Sequence, residues 1–285
     1  MSGASPADAA LSRQRLGIKL RELRQSRALR LADVAAELGI VGSTLSRIEN
    51  GKAPARASYI RVLLDLYQVS DPGQRQAIIE LASQGLHGDW CADAADLLSA
   101  EALRFIGLEA AAEQIRVFSA HVIPDLLQTR EYAAAAWRAT RPGLTLIQAD
   151  RLADVTAHRQ KALGGDGRRV HAVIDEAALL RPVGDPQVMA AQLDHLAWAA
   201  TADRMTVEIL PLAEPWPAIS PPFTILSFGD LSNTQTARIG VESHAVLTSH
   251  DKAVRLLCAT FDALARASLS SARSAHLIAG VAKQQ

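Results

Sequence analysis

Ser43, Thr44, Ser46 and Arg47 sit within one short run, S-T-L-S-R-I-E-N-G at 43–51, with Gly42 before it and Lys52 and Arg56 after it. No member of this group is a nucleophile with a base beside it. The chemistry it offers is recognition. A serine or threonine hydroxyl can bond to several base edges or to phosphate, and a guanidinium presents two donors that match guanine O6 and N7. Asn50, Lys52 and Arg56 are suited to phosphate oxygens, which orient a duplex without reading it, and Arg30 can do the same from upstream. Arg47 is expected to be the strongest single base reader.

Such side chains read DNA only if a helix presents them, and the surrounding sequence supplies helices. Leu16, Leu20 and Leu23 lie at i, i+4 and i+7, one stripe of a first helix. Leu31, Val34, Ala35 and Leu38 form a second stripe, which Gly39 ends because it can take the left-handed conformation of a tight turn. Val41, Leu45 and Ile48 make a third, closed by Asn50-Gly51, and Ile60, Leu63, Leu64 and Tyr67 a fourth. Asp71-Pro72-Gly73 marks the way out. Two helices joined by a short Gly-containing turn can place the second in a major groove.

L-R-E-L-R at 20–24, A-x-x-L-G at 35–39 and S-T-L-S-R-I-E-N-G at 43–51 resemble the repressor-type, xenobiotic-response-element class of helix-turn-helix domains. The resemblance implies groove-facing roles for Gly42, Ser43, Thr44, Ser46 and Arg47, and backbone contacts from Arg30, Asn50, Lys52 and Arg56. It also implies an internal ion pair between Arg24 and Glu49. The chain departs from that class at Leu31, where Gln is common, and at Gly42, where a long polar residue is common. Val41 occupies the place of a capping Ser or Thr. Capping is therefore expected to slide to Gly42 or Ser43 and shorten the recognition helix, leaving DNA shape or a second subunit to supply part of the specificity.

Bulk properties agree with a nucleic-acid partner at one end. The 285 residues carry 30 basic and 30 acidic side chains, yet residues 1–75 hold 12 against 7, a balance of +5, and the remainder holds 18 against 23, a balance of −5. A basic head on a mildly acidic body suits contact with phosphate. Apolar residues make up 49%, enough for a sizeable core. No leader-like segment and no apolar stretch long enough to span a bilayer is visible, so a cytoplasmic protein is expected. Cys91 and Cys258 read as two isolated buried thiols.

Beyond residue 73 a connecting helix is expected over Gln74–Gln84, then a long helix with Phe105, Leu108, Ala112 and Ile115 on one face. Pro124 interrupts a further helix that restarts over Glu131–Trp137. Val170–Ile174 and Met205–Ile209 alternate as strands, Phe223–Phe228 and Ala237–Val241 read as a hairpin, and Asp185-Pro186 starts a helix. A last helix carries Val254, Leu257, Phe261 and Leu264. The expected fold is an all-α helix-turn-helix domain followed by an α+β domain with a small antiparallel sheet. The expected domains are a disordered tail over 1–11, the DNA-binding domain over 12–73, a connector over 74–90 and a regulatory and dimerisation domain over 91–285.

Four blocks of this second region, I-P-D-L-L-Q-T at 123–129, H-R-Q-K-A-L at 158–163, D-E-A-A-L-L-R-P-V-G at 175–184 and A-Q-L-D-H-L at 191–196, resemble an antitoxin-like family of actinobacterial regulators that includes WhiJ-like proteins. Relatives usually carry Gly where this chain has Asp125. The resemblance implies a small cognate protein encoded nearby, acting on a homodimeric repressor bound to double-stranded operator DNA. The rival reading is a small-molecule sensor with a ligand pocket in the C-terminal domain.

Other chemistry is weak. His87-x-x-x-Cys91 lacks a second ligand pair for a metal, and Gly164-Gly165-Asp166-Gly167 lacks the Lys-Ser/Thr ending of a phosphate loop. Asp175-Glu176 point in different directions. Arg130, Arg151, Arg159 and Arg181, with Glu109 and Glu242, read as surface ion pairs more readily than as an anion pocket. Trp90, Trp137, Trp198 and Trp216 read as core anchors. No catalytic residue, metal or cofactor is expected.

Overall fold

A computed structural model describes residues 6–55, 57–85, 94, 96–163, 168–214, 221–228, 235–240 and 245–283, without the side chains of 6–11, 57–58, 83–85 and 163. The described residues form two compact units, one of residues 1–113 with 227–234, the other of 114–226 with 235–285. The first unit extends further than the expected boundary at residue 90.

The first unit is helical: α1 (Pro6–Ser26), α2 (Leu31–Glu37), α3 (Gly42–Glu49), α4 (Ala57–Leu66), α5 (Pro72–Gly85) and α6 (Ala100–Ala111). Most of the expected stripe residues become its core, with Leu16, Leu20, Val34, Ala35, Leu45, Ile48, Ile60, Leu63, Leu64 and Tyr67 all buried, but Leu23, Leu31 and Leu38 are half-buried and Val41 is exposed. Two boundaries differ from expectation. Helix α1 begins at Pro6, inside the segment expected to be a disordered tail. Asp71-Pro72-Gly73 starts a helix instead of leading out of one, because the Asp71 carboxylate accepts from Gln74 N at 2.6 Å and caps α5. That helix packs against α1 and α6 and so joins the unit.

Helices α1 to α4 end in the same way. Leu29 N donates to Arg24 O, Ile40 N to Ala35 O, Lys52 N to Arg47 O and Val69 N to Leu64 O, each accompanied by a bond from the preceding residue's N–H to the carbonyl three residues before it. This double closure needs a left-handed residue, and Ala28 (φ 53°), Gly39 (64°), Gly51 (69°) and Gln68 (52°) provide it.

The second unit is an α+β fold built on the sheet β1 (Gln114–Ser119), β2 (Arg169–Asp175), β3 (Met205–Leu210), β4 (Phe223–Ser227), β5 (Gln235–Ile239) and β6 (Val246–Thr248), in the order β3-β2-β1-β4-β5-β6. The α+β class is as expected. The sheet itself is mixed: β5 and β6 are antiparallel, but β1, β2 and β3 run parallel, Val117 opposite Ala172 and Ala172 opposite Val207. Long helical connections separate those three strands, which is what parallel pairing requires. Helices α7 (Arg130–Thr140), α8 (Leu146–Leu163), α9 (Ala177–Leu180), α10 (Pro186–Ala199), α11 (Asp251–Ala267) and α12 (Ser271–Ala282) complete the unit.

Alternation along the strands sorts two cores. Ala172, Ile174, Val207 and Ile209 pack with Tyr132, Leu193, Leu196 and Ile278 on one face, and Phe118, Val173, Phe223 and Ile225 pack with Val254, Phe261 and Leu264 on the other. Helix α12 covers the edge strand β3: Leu269 N donates to Ile209 O and Ser274 Oγ accepts from Ile209 N, both at 2.9 Å. Exposed sheet edges invite pairing with other chains, and this one is closed.

Three sequence expectations are corrected. Ile115 belongs to a strand, not to the long helix of Phe105 and Leu108, which stops at Ala111; Q-I-R-V-F-S alternates and carries two β-branched residues. Strand β6 and helix α12 were not expected. Trp198 is 64% exposed, so it anchors no core. Trp90, Trp216, Cys91, His87, Glu242 and the 164–167 loop lie outside the described residues. Cys258 is half-buried, its sulfur accepting from Arg116 Nη2 at 2.9 Å and donating to Gln235 Oε1 at 3.3 Å.

Candidate nucleic-acid interface

Helix α3 divides cleanly. Leu45, Ile48 and Glu49 are buried, whereas Ser43, Arg47 and Asn50, at i, i+4 and i+7, are exposed on the opposite side; Thr44 and Ser46 flank them, half-buried. Among the described residues no hydrogen bond or ion pair engages the side chains of Arg47 or Lys52, so both cations are available to a partner.

The helix does not shorten. It begins at Gly42, with Val41 as an N-cap whose side chain makes no capping bond. Gly42 explains its own neighbour: a Cβ there would stand 3.3 Å from Leu31 Cδ2. The two departures from the usual pattern therefore belong together, Leu31 filling space beside the missing side chain. Gly42 can offer DNA only backbone.

Anchoring comes from α1. Arg24 Nε donates to Glu49 Oε1 at 2.7 Å and its Nη2 to Oε2 at 2.9 Å, with the Glu49 side chain 1% exposed. Arg24 Nη1 also donates to Leu29 O, so one guanidinium ties the end of α1 to the end of α3. The Glu49 hydrogen bonds hold the Arg24 pKa above its ordinary value. Arg21 lies 3.6 Å from the same carboxylate and donates to Asn50 Oδ1 at 2.6 Å. Gly17 lets the backbones touch: a Cβ there would come within 2.6 Å of both Ile48 O and Glu49 O. Sequence reading passed over Gly17 and Arg21. The signal was present, since 17, 21 and 24 recur at i, i+4 and i+7 along one face of α1.

The expected site is thus partly reassigned. The structure brings Arg24 and Glu49 together. Asn50 is engaged within the domain, donating to Ser46 O at 2.7 Å and to Ser46 Oγ at 3.3 Å while accepting from Arg21. Its amide closes α3, and Ser46 is drawn into the same closure. Arg30, at the N-cap of α2, forks onto Asp33 with two 2.8 Å bonds, and those bonds hold the Asp33 carboxyl below the usual range. Arg56 lies outside the described residues. Of the expected site residues, Ser43 and Arg47 are exposed on α3 with Thr44 half-buried between them, and Lys52 is exposed just past the end of the helix.

In the second unit, three of the four blocks singled out in the sequence converge on one loop. Gln192 accepts from Thr129 N at 2.7 Å and donates to Leu127 O at 2.8 Å. Gln160 donates to Asp125 O and Gln128 O, and Gln128 to Ile123 O. Arg159, buried and no surface residue, donates to Asp125 Oδ2 at 3.0 Å. Burial alone would push the Asp125 carboxyl up; the charge and hydrogen bond of Arg159, with the charge of Arg238, bring it below its ordinary value. These blocks build a scaffold. Arg130 pairs with Asp150 and Asp154 at the surface, as expected of surface ion pairs. Asp175 and Glu176 accept from Ala177 N and Leu212 N, separate backbone contacts.

A buried-anchored helix that exposes a hydroxyl-guanidinium stripe defines a DNA-binding helix-turn-helix regulator, and residues 15–78 match a helix-turn-helix domain model. Residues 102–280 match a domain of unknown function, DUF5753, and the chain belongs to that family. No curated protein and no solved structure matches it. Among the described residues no helix is long and apolar enough to cross a membrane.

Proposed function

We propose that the chain is a transcriptional regulator that binds two-fold symmetric operator DNA as a homodimer through residues 12–73, without catalysing a reaction. The observation that carries this reading is the exposed Ser43–Arg47 stripe, held on a helix whose far end is clamped by Arg24 and Glu49. In such a dimer the two recognition helices lie about 34 Å apart on one face of the duplex.

The second unit takes the regulatory input, from a small cognate protein of the antitoxin-like kind found with WhiJ-like regulators. Trp198, Leu146 and Ile147 support this reading, being 64%, 65% and 74% exposed, since large apolar side chains at a surface suit protein contact. Selection of bound duplexes from a random pool by the full chain, then footprinting with and without the neighbouring gene product, tests both halves. No enriched sequence at moderate salt removes the operator reading. A footprint indifferent to the small protein, but shifted by a metabolite that also raises the melting temperature, favours the small-molecule sensor.

A further inference from the structure

Val41 is an anomaly that the scaffold does not explain. It occupies the N-cap of the recognition helix, where a hydroxyl or carboxylate would bond to the first free N–H groups, and it makes no such bond. Nor does it serve the core: at 68% it is among the most exposed large apolar residues, while Leu45 and Ile48 of the same stripe are essentially inaccessible. Its backbone is extended, φ −77° and ψ 146°, and its carbonyl accepts from Thr44 N at 2.9 Å, so the residue is well placed and not frayed. Gly42 beside it has no side chain, and the Cβ position faces Leu31. An apolar knob therefore projects at the leading end of α3, next to Ser43.

We propose that Val41 is a specificity-determining residue that packs on the 5-methyl group of a thymine in the operator half-site. The proposal rests on the operator reading above. The major-groove edge of an A·T pair differs from other pairs in carrying a methyl group, and apolar side chains discriminate it by contact alone. Ser43, Thr44 and Arg47 carry the polar groups of the stripe; Val41 adds a wholly apolar side chain.

The test uses the full chain and the duplex that it selects. Each thymine in a half-site is replaced in turn by deoxyuridine, which removes only the methyl. The wild type should lose about fourfold affinity at one position per half-site, equivalent to about 0.8 kcal/mol for one buried methyl-sized group. Val41→Ala should bind the thymine duplex correspondingly less tightly and be indifferent to deoxyuridine there. Val41→Ser, which restores a capping hydroxyl, guards against a folding artefact because its helix is better terminated. The proposal is overturned if Val41→Ala and Val41→Ser keep the full deoxyuridine penalty, or if no thymine shows one. A chain that selects no duplex at all would instead overturn the operator reading.

Discussion

Arg47 and Lys52 are both exposed cations, but their positions assign them different work. Arg47 projects from the middle of the exposed stripe and Lys52 follows the helix; on the proposed operator reading the first would meet base edges and the second the backbone of the duplex. Arg47→Ala should weaken operator binding by about 1–3 kcal/mol and relax choice at one base pair, whereas Lys52→Ala should weaken specific and random DNA alike and lower the salt slope by about 1. Equal losses on both kinds of DNA for Arg47→Ala, measured by fluorescence anisotropy, would remove its assigned role. Tyr67 poses a different question. Its side chain is buried with the hydroxyl unpartnered, and burial raises its pKa. An unsatisfied buried hydroxyl is destabilising, so Tyr67→Phe should leave stability unchanged or raise it by at most about 1 kcal/mol, read from thermal unfolding. A clear loss of stability would show that the hydroxyl has a partner in solution.

Helices in the first unit are defined by how they end. Ala28 and Gln68 take the left-handed conformation that Gly39 and Gly51 take without penalty, at a cost of about 1–2 kcal/mol for a residue with a Cβ. Glycine has greater freedom to lose on folding, which offsets part of the gain. Ala28→Gly should therefore raise stability by about 0.5–1 kcal/mol, read by urea unfolding, and Gln68→Gly should do the same. Gly17 behaves oppositely, because its φ is ordinary and its role is close approach. Gly17→Ala would force α1 away from the carbonyls of Ile48 and Glu49, costing about 1–3 kcal/mol. Since α1 positions the end of the recognition helix, operator affinity should fall with stability. Unchanged affinity in a folded Gly17→Ala variant would separate anchoring from reading.

At the scale of the whole molecule, the pair of the buried Arg159 and the partly exposed Asp125 should contribute to acid sensitivity. The folded-state pKa of Asp125 lies below its unfolded value of about 3.9. A depressed carboxyl contributes stability that is fully present above the unfolded value and is lost as pH falls through the folded one. Stability of the second unit should therefore decline below about pH 4. In Asp125→Asn the pair's share of that decline should vanish, together with stability at neutral pH, because Arg159 remains buried without its counterion. If wild type and Asp125→Asn lose stability in parallel between pH 5 and 3, the pair is not the acid-sensitive element.

Much of this architecture follows from local pattern. The stripes at Leu16–Leu23, Leu31–Leu38, Val41–Ile48 and Ile60–Tyr67, the glycines at 39 and 51, and the hydroxyl-guanidinium run at 43–47 are short-range features, so residue order alone determined the helix-turn-helix unit and which helix carries that run. The proline at 186 with Asp185 before it was equally local, Asp185 capping α10 through Val188 N. What remained undetermined was non-local. Parallel pairing of β1, β2 and β3 depends on partners far apart in sequence, and Q-I-R-V-F-S continues an apolar helical pattern closely enough to be merged with it. Asn50 and Ser46 looked free for DNA because Arg21, 29 residues away, is invisible to a pattern read along one helix. The burial of Arg159 likewise appeared only once α8 was laid against the Asp125 turn. Periodicity reports which face of an element is apolar; only packing decides what that face, and every polar group around it, finally touches.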